Sequence, residues 1–168
     1  MTCSDIISII GILVSAAMGI WIATAITNGH TQERFLKDYF TKELNGIKEE
    51  CKTFFDEICF DKKSAQDIKI GFKILSMRIS AFESNLGEAF KDASTSLPSI
   101  IKSIQLEITN TDDFNEQFKK AKVKFSSEAK NTILENRSLF LTEFSKAVII
   151  INKASVNKQH KRKPQRNQ

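Results

Sequence analysis

The run Ile6–Ile26, IISIIGILVSAAMGIWIATAI, holds 21 residues without a charge, and the uncharged stretch continues through Gly29. As a helix rising about 1.5 Å per residue it is roughly 31 Å long, close to the hydrocarbon thickness of a bilayer. A helix satisfies every backbone amide internally, as that environment demands. The sequence therefore predicts a single transmembrane helix over residues 6–26. Residues 1–5 form a short flank and 27–30 a hinge around Asn28-Gly29. The rest is a body tethered to the membrane.

The charge distribution sharpens this division. The net charge of +5 is an average over two unlike parts. Residues 1–152 carry 19 Lys/Arg and 20 Asp/Glu, whereas residues 153–168 carry six bases and no acid. The body is balanced and the basicity is a tail, expected to be disordered because it has no apolar periodicity. Arg34, Lys37 and Lys42 follow the apolar run and no base precedes it, so the positive-inside rule predicts the N-terminus outside and the body in the cytoplasm. Ala23-Thr24-Ala25 resembles a signal-peptidase site, but the N-terminal flank lacks Lys and Arg and the apolar run exceeds a usual signal core. An uncleaved anchor is the expectation. Within it Gly11, Ser15, Gly19 and Ala23 recur every four residues, a small-residue stripe along which a second helix packs closely.

Beyond the hinge the pattern is helical throughout. Thr31 is placed to cap a first helix with Glu33 in its first turn. Leu36, Phe40, Leu44, Ile47, Cys51, Phe54 and Ile58 step by 4, 4, 3, 4, 3 and 4, a near-heptad row. Phe35, Tyr39, Phe55 and Phe60 widen that row beyond a two-stranded seam. Ser64 with Asp67 reads as a variant capping box. It opens a second helix of similar length carrying Ile68, Phe72, Leu75, Ile79, Phe82, Leu86 and Phe90. The short polar link between the two implies an antiparallel hairpin about 45 Å long.

Pro98 suits the first turn of a third helix with Leu97, Ile101, Ile104 and Ile108, although the alternation Ile104, Leu106, Ile108 also admits a strand. Asn110-Thr111 reads as a turn and Asp112-Asp113 as a helix start. Phe114, Phe118, Ala121 and Phe125 form one further stripe; Leu134, Leu141, Phe144, Val148 and Ile151 form another, with a kink at Ser126-Ser127. All 13 Phe fall between Phe35 and Phe144, which favours an all-α, coiled-coil-like helical bundle over residues 31–152. An extended dimeric coiled coil is the competing architecture.

The chemistry-bearing residues are sparse. The two histidines, His30 and His160, sit in the hinge and the tail without metal-ligand spacing around them. There is no Walker, dinucleotide or HExxH motif. Glu49-Glu50 and Asp56-Glu57 read as the solvated face of a helix, and Asp112-Asp113 as a cap. Cys51 and Cys59, about 12 Å apart along one helix, are too distant to bridge within it. Asn136-Arg137-Ser138 is a sequon that matters only for an exported body. No catalytic, metal or cofactor site is expected, and the chain is read as a non-enzyme. The tail bases Lys158, Lys161, Arg162, Lys163 and Arg166 suit anionic lipid. Nucleic acid is disfavoured, since no aromatic follows Phe144 for bases to stack on.

The expected function is a single-pass anchor holding a helical protein-interaction or regulatory module at the cytoplasmic membrane face. Its partners are the bilayer, another protein and, through the small-residue stripe, a second copy. A membrane-active effector whose anchors oligomerise and perturb the bilayer is the alternative. With inverted topology, the chain becomes an envelope-spanning structural protein.

Overall fold

Four long or medium helices carry the fold, and their ends explain why they stop where they do. A computed structural model describes residues 30–156. Helix α1 runs His30–Cys59, α2 Ala65–Ala89, α3 Leu97–Thr109, the short α4 Asp112–Glu116 and α5 Ser127–Lys153. The first helix closes with paired backbone bonds, Lys62 N–H to the Glu57 carbonyl at 2.9 Å and Asp61 N–H to that of Ile58 at 3.1 Å. Such an ending needs a left-handed residue at its turn, usually glycine. Here Asp61 takes it, with φ 54°, and aspartate is among the side chains that tolerate this conformation.

Helix α2 then starts on the capping box read from the sequence: Ser64 Oγ accepts from Asp67 N–H, and the Asp67 carboxylate accepts from Ser64 N–H. The Ser64 hydroxyl also donates to that carboxylate at 2.7 Å, and this bond, with the one from Ser64 N–H, holds the Asp67 carboxyl below its ordinary range. Thr111 caps α4 by accepting from Phe114 N–H, and Ser126 caps α5 by accepting from Ala129 N–H. Pro98 lies in the first turn of α3, where its missing N–H costs nothing.

The helices form a ring in which α1 packs on α2 and α5, and α3 packs on α2 and α5. Cross-links fix the directions. Phe54 meets Phe72 and Phe40 meets Phe82, so α1 and α2 are antiparallel. Phe55 meets Phe140, and Lys37 Nζ donates to the Asn152 carbonyl at 3.0 Å, so α1 and α5 are antiparallel too. Ser96 reaches Glu143 and Asn136 reaches Glu107, which sets α3 against α5. The architecture is an all-α, up-down-up-down four-helix bundle. Helix α3 has 13 residues against 30 in α1. The remainder of its slot is filled by α4 and residues 117–126, whose Val123 and Phe125 side chains are buried.

The seven-residue row of α1 is buried in full, as are Ile68, Phe72, Leu75, Ile79, Phe82, Leu86 and Phe90. Phe55 joins them, while Phe35 and Phe60 point outward. Phe90 lies outside α2: with Lys91 it forms β1, which pairs antiparallel with β2, Ser155–Val156. Residues 153–156, expected to belong to the tail, are part of the fold: α5 extends to Lys153 and Ser155–Val156 are held in this ladder.

Residues 97–109 are helical as expected, and the alternative strand at 104–108 does not form. Two other expectations are corrected. The stripe Phe114, Phe118, Ala121, Phe125 does not lie on one helix, since α4 ends at Glu116 and Phe118 is exposed. Residues 117–127 contain four lysines and no acid, so no i,i+4 ion pair is available to extend the helix. In α5 the inward row is Ile133, Phe140, Phe144, Ala147 and Ile151; Leu134 faces solvent and Ser126 is a cap, not a kink. Glu143 occupies this inward face because Ser96 Oγ donates to it at 2.6 Å and Lys146 Nζ at 2.5 Å. Those two donors hold its carboxyl below the usual range. Among the described residues no helix is long and apolar enough to cross a membrane. The run 6–26 lies outside them.

At Gly71 the ring of Phe54 on α1 lies against the backbone of α2. A Cβ there would sit 2.2 Å from Phe54 Cε2, and the Phe54 ring is itself wedged against Phe55 and Phe72. Alanine is the better helix former by about 1 kcal/mol, yet overpacking at such a contact costs about 1–3 kcal/mol. Gly71→Ala is expected to lower the thermal midpoint measured by circular dichroism, and an unchanged or raised midpoint counts against this packing.

Candidate functional site

The two ends of the bundle differ in chemistry. At one end α1 begins and α5 finishes. The Lys37–Asn152 bond and the β1–β2 ladder bring Val156 back beside the early turns of α1. Residues 30 and 156, where the described chain starts and stops, therefore lie at the same end of the bundle. The packing stripe Gly11, Ser15, Gly19, Ala23 and the tail bases Lys158, Lys161, Arg162, Lys163 and Arg166 lie outside the described residues.

At the opposite end, roughly 45 Å away along α1, the α1–α2 turn meets the segment between α4 and α5. Gln117 closes that segment into a loop: its amide nitrogen donates to the Lys124 carbonyl at 2.8 Å and its amide oxygen accepts from Lys124 N–H at 3.1 Å. Short loops with joined ends are a recognised functional device. Val123 N–H donates to the Lys63 carbonyl at 2.9 Å, and Phe125 N–H to Asp61 Oδ1 at 3.2 Å. The loop is thus fastened to the turn through Asp61, which also accepts from Lys130 Nζ at 2.7 Å.

What this loop presents is Lys119, Lys120, Lys122 and Lys124, all exposed. None of the four is in an ion pair among the described residues. The acids closest in the turn are already engaged: Glu57 with Lys63 and Asp61 with Lys130. Beside the lysines stand two outward phenylalanines, Phe60 at 69% exposure and Phe118 at 44%. Lys62 Nζ lies 5.5 Å from the Phe60 ring centre and Lys69 Nζ 4.7 Å from that of Phe118. Sequence reading missed this loop by assigning its phenylalanines to a helical stripe. The available signal was four lysines in six residues with no acid among them.

A third feature lies on the outer side of α2. Ile70, Ile74 and Met77 are exposed at 37%, 36% and 43% and follow i, i+4, i+7, opposite the buried row. The helix is therefore apolar on two faces. A helix with a single apolar stripe would show polar residues there.

The residues weighed as chemical candidates have structural partners. Glu50 and Glu43 both bind Arg78 of α2. Asp56 binds Arg137 at 3.3 Å, and Glu49 binds Lys52 at 3.6 Å. Asp113 accepts from Ser126 N–H at 2.9 Å, which keeps its carboxyl low. An open cavity of about 460 Å³ beside it is lined by Glu107, Asp112, Asp113 and Glu128, among others. Among the described residues no group of three His, Cys, Asp or Glu is arranged to hold a metal. Cys51 and Cys59 are both free thiols. Burial, with Glu50 nearby, pushes the Cys51 thiol up to about 12. Cys59 is raised as well, first by burial and then by Asp56, but it is only partly buried.

No family model matches this chain, and neither a curated protein nor a solved structure is detectably similar to it. The site must be read from its own chemistry.

The thiol environments give a direct check. Only the thiolate reacts with iodoacetamide, so Cys59 is expected to alkylate well before Cys51 at mildly alkaline pH, measured by peptide mass spectrometry. Equal rates would mean that the α1 core row is open to solvent.

Proposed function

We propose that this protein is a single-pass membrane-anchored helical bundle, a non-enzymatic module that recognises another helix at the cytoplasmic face. The observation that carries the interaction reading is the second apolar row of α2, Ile70, Ile74 and Met77. Its spacing matches the i, i+4, i+7 pattern by which one helix packs on another. The anchoring reading rests on the uncharged run 6–26 and is supported by residues 30 and 156 lying at the same end of the bundle. With that end toward the bilayer, the bases of residues 158–166 begin beside the anchor. There each adds about 1 kcal/mol of attraction to an anionic leaflet.

Two experiments test the parts separately. Full-length protein carrying Ile74→Glu is expected to keep its thermal midpoint while losing at least tenfold in affinity for the helical partner or second copy seen by in-cell crosslinking. A crosslinking pattern identical to wild type removes α2 as the recognition face. For the anchor, full-length protein is expected to float with neutral phosphatidylcholine vesicles through an alkaline carbonate wash. A reporter fused after Gln168 is expected to be active in the cytoplasm. Extraction by carbonate, or activity only outside, overturns the anchoring or the orientation respectively.

A further inference from the structure

We propose that the Gln117–Lys124 loop, together with Phe60 and Phe118, is a docking tip for an anionic bilayer surface facing the one that holds the chain's apolar run. The location rests on the anchoring reading; the chemistry of the tip does not.

The first argument is charge complementarity. Lys119, Lys120, Lys122 and Lys124 are exposed and without an ion pair among the described residues, and Lys62 and Lys69 extend the basic surface. The acids of the turn, Glu57 and Asp61, are held by Lys63 and Lys130. Asp67 is bonded into the cap of α2 and Asp113 to Ser126. Exposed acids of the adjoining chain, Asp112, Glu116 and Glu128, lie at the foot of the loop or beyond it, two of them around the acid-lined cavity. The charge at the tip is therefore free to meet an external anion, while the loop's shape is fixed by the Gln117 clamp and the Val123 and Phe125 anchors.

The second argument is the two aromatic rings. A large apolar side chain at 69% exposure, as at Phe60, has no use in folding the bundle. Flanked by lysines, it has the amphipathic character that enters the headgroup boundary of a membrane. Polynucleotide fits less well. Base stacking uses open ring faces, and a lysine ammonium occupies one face of each ring, at 5.5 Å for Phe60 and 4.7 Å for Phe118. Lys119 to Lys122 also form an exposed tip, whereas single strands are tracked by grooves.

The third argument is position. The tip is roughly 45 Å from the start of α1, at the far end from residues 30 and 156. A bundle standing on its anchor presents this tip outward, where a second surface meets it.

The test uses full-length protein in neutral phosphatidylcholine donor vesicles, with flotation confirming insertion independently of docking. Acceptor vesicles containing phosphatidylserine are expected to be captured in a salt-sensitive manner, and pure phosphatidylcholine acceptors are not. Replacing the four loop lysines by glutamine is expected to cut capture at least tenfold, with roughly a fivefold loss for a single replacement. The four-arginine variant should retain capture, and an unchanged circular dichroism melt shows that the fold survives each change. Phe60→Ser should weaken capture at physiological salt. Equal capture by wild type and the glutamine variant overturns the proposal. So does binding only to anionic lipid placed in the donor membrane, or preferential binding of an RNA or single-stranded DNA oligonucleotide that blocks capture. Failure to float instead rejects the anchor, and the tip is then assayed by direct sedimentation with the anionic vesicles, where absent binding rejects the docking chemistry as well.

Discussion

The ring of Phe54 lies in the space that any side chain at residue 71 would need. This contact sets how closely α1 and α2 approach, and the rest of the bundle is arranged on the hairpin it fixes. With Phe54 against Phe72, the antiparallel register brings Arg78 to Glu43 and Glu50, and Phe40 to Phe82. Phe55, next along α1, then meets Phe140 of α5. A glycine in a helix interior is ordinarily unfavourable. Here the loss in helix propensity is offset by edge-to-face aromatic contacts that a larger residue would displace.

The hairpin was legible because its two helices obey one simple pattern. In α1 and α2 the inward positions are apolar apart from Asn85, and a Ser-x-x-Asp box opens the second helix. Local preference and global packing agree, so periodicity alone finds the core. The later helices mix signals. In α5 the inward face includes Glu143 and is bordered by Arg137, while Leu134 and Leu139 face solvent. A reader following apolar residues is drawn one position off the true row. Glu143 is held by Ser96 and by Lys146 one turn along the same helix, and Arg137 pairs with Asp56 through Nη2 while its buried Nε has no partner among the described residues; Ser96 and Asp56 are distant in sequence.

The functional surfaces were harder to read for the opposite reason. Periodicity reports what is buried, and the lysine loop is defined by what is not. Its phenylalanines divide: Phe114 and Phe125 go inward, Phe118 outward. Spacing cannot distinguish them without the Gln117 clamp, which joins residues seven apart through a side chain. The outer row of α2, Ile70, Ile74 and Met77, went unread because the buried row of the same helix already accounts for its apolar period. The basic tail was visible at once, but its root at Val156, folded against Phe90, depended on a ladder of two residues.

The clamp has an evolutionary consequence. Because Gln117 and Lys124 fasten the loop at its neck, residues 119–122 are exposed and no buried side chain lies among them. Lengthening such a segment costs little, about 0.6 kcal/mol for each doubling. Selection can therefore add or remove charges at this tip almost independently of the folding of the domain. The neck acts as a cloning site built into the protein, where recognition can diverge quickly while Phe54 and Gly71 keep the scaffold unchanged.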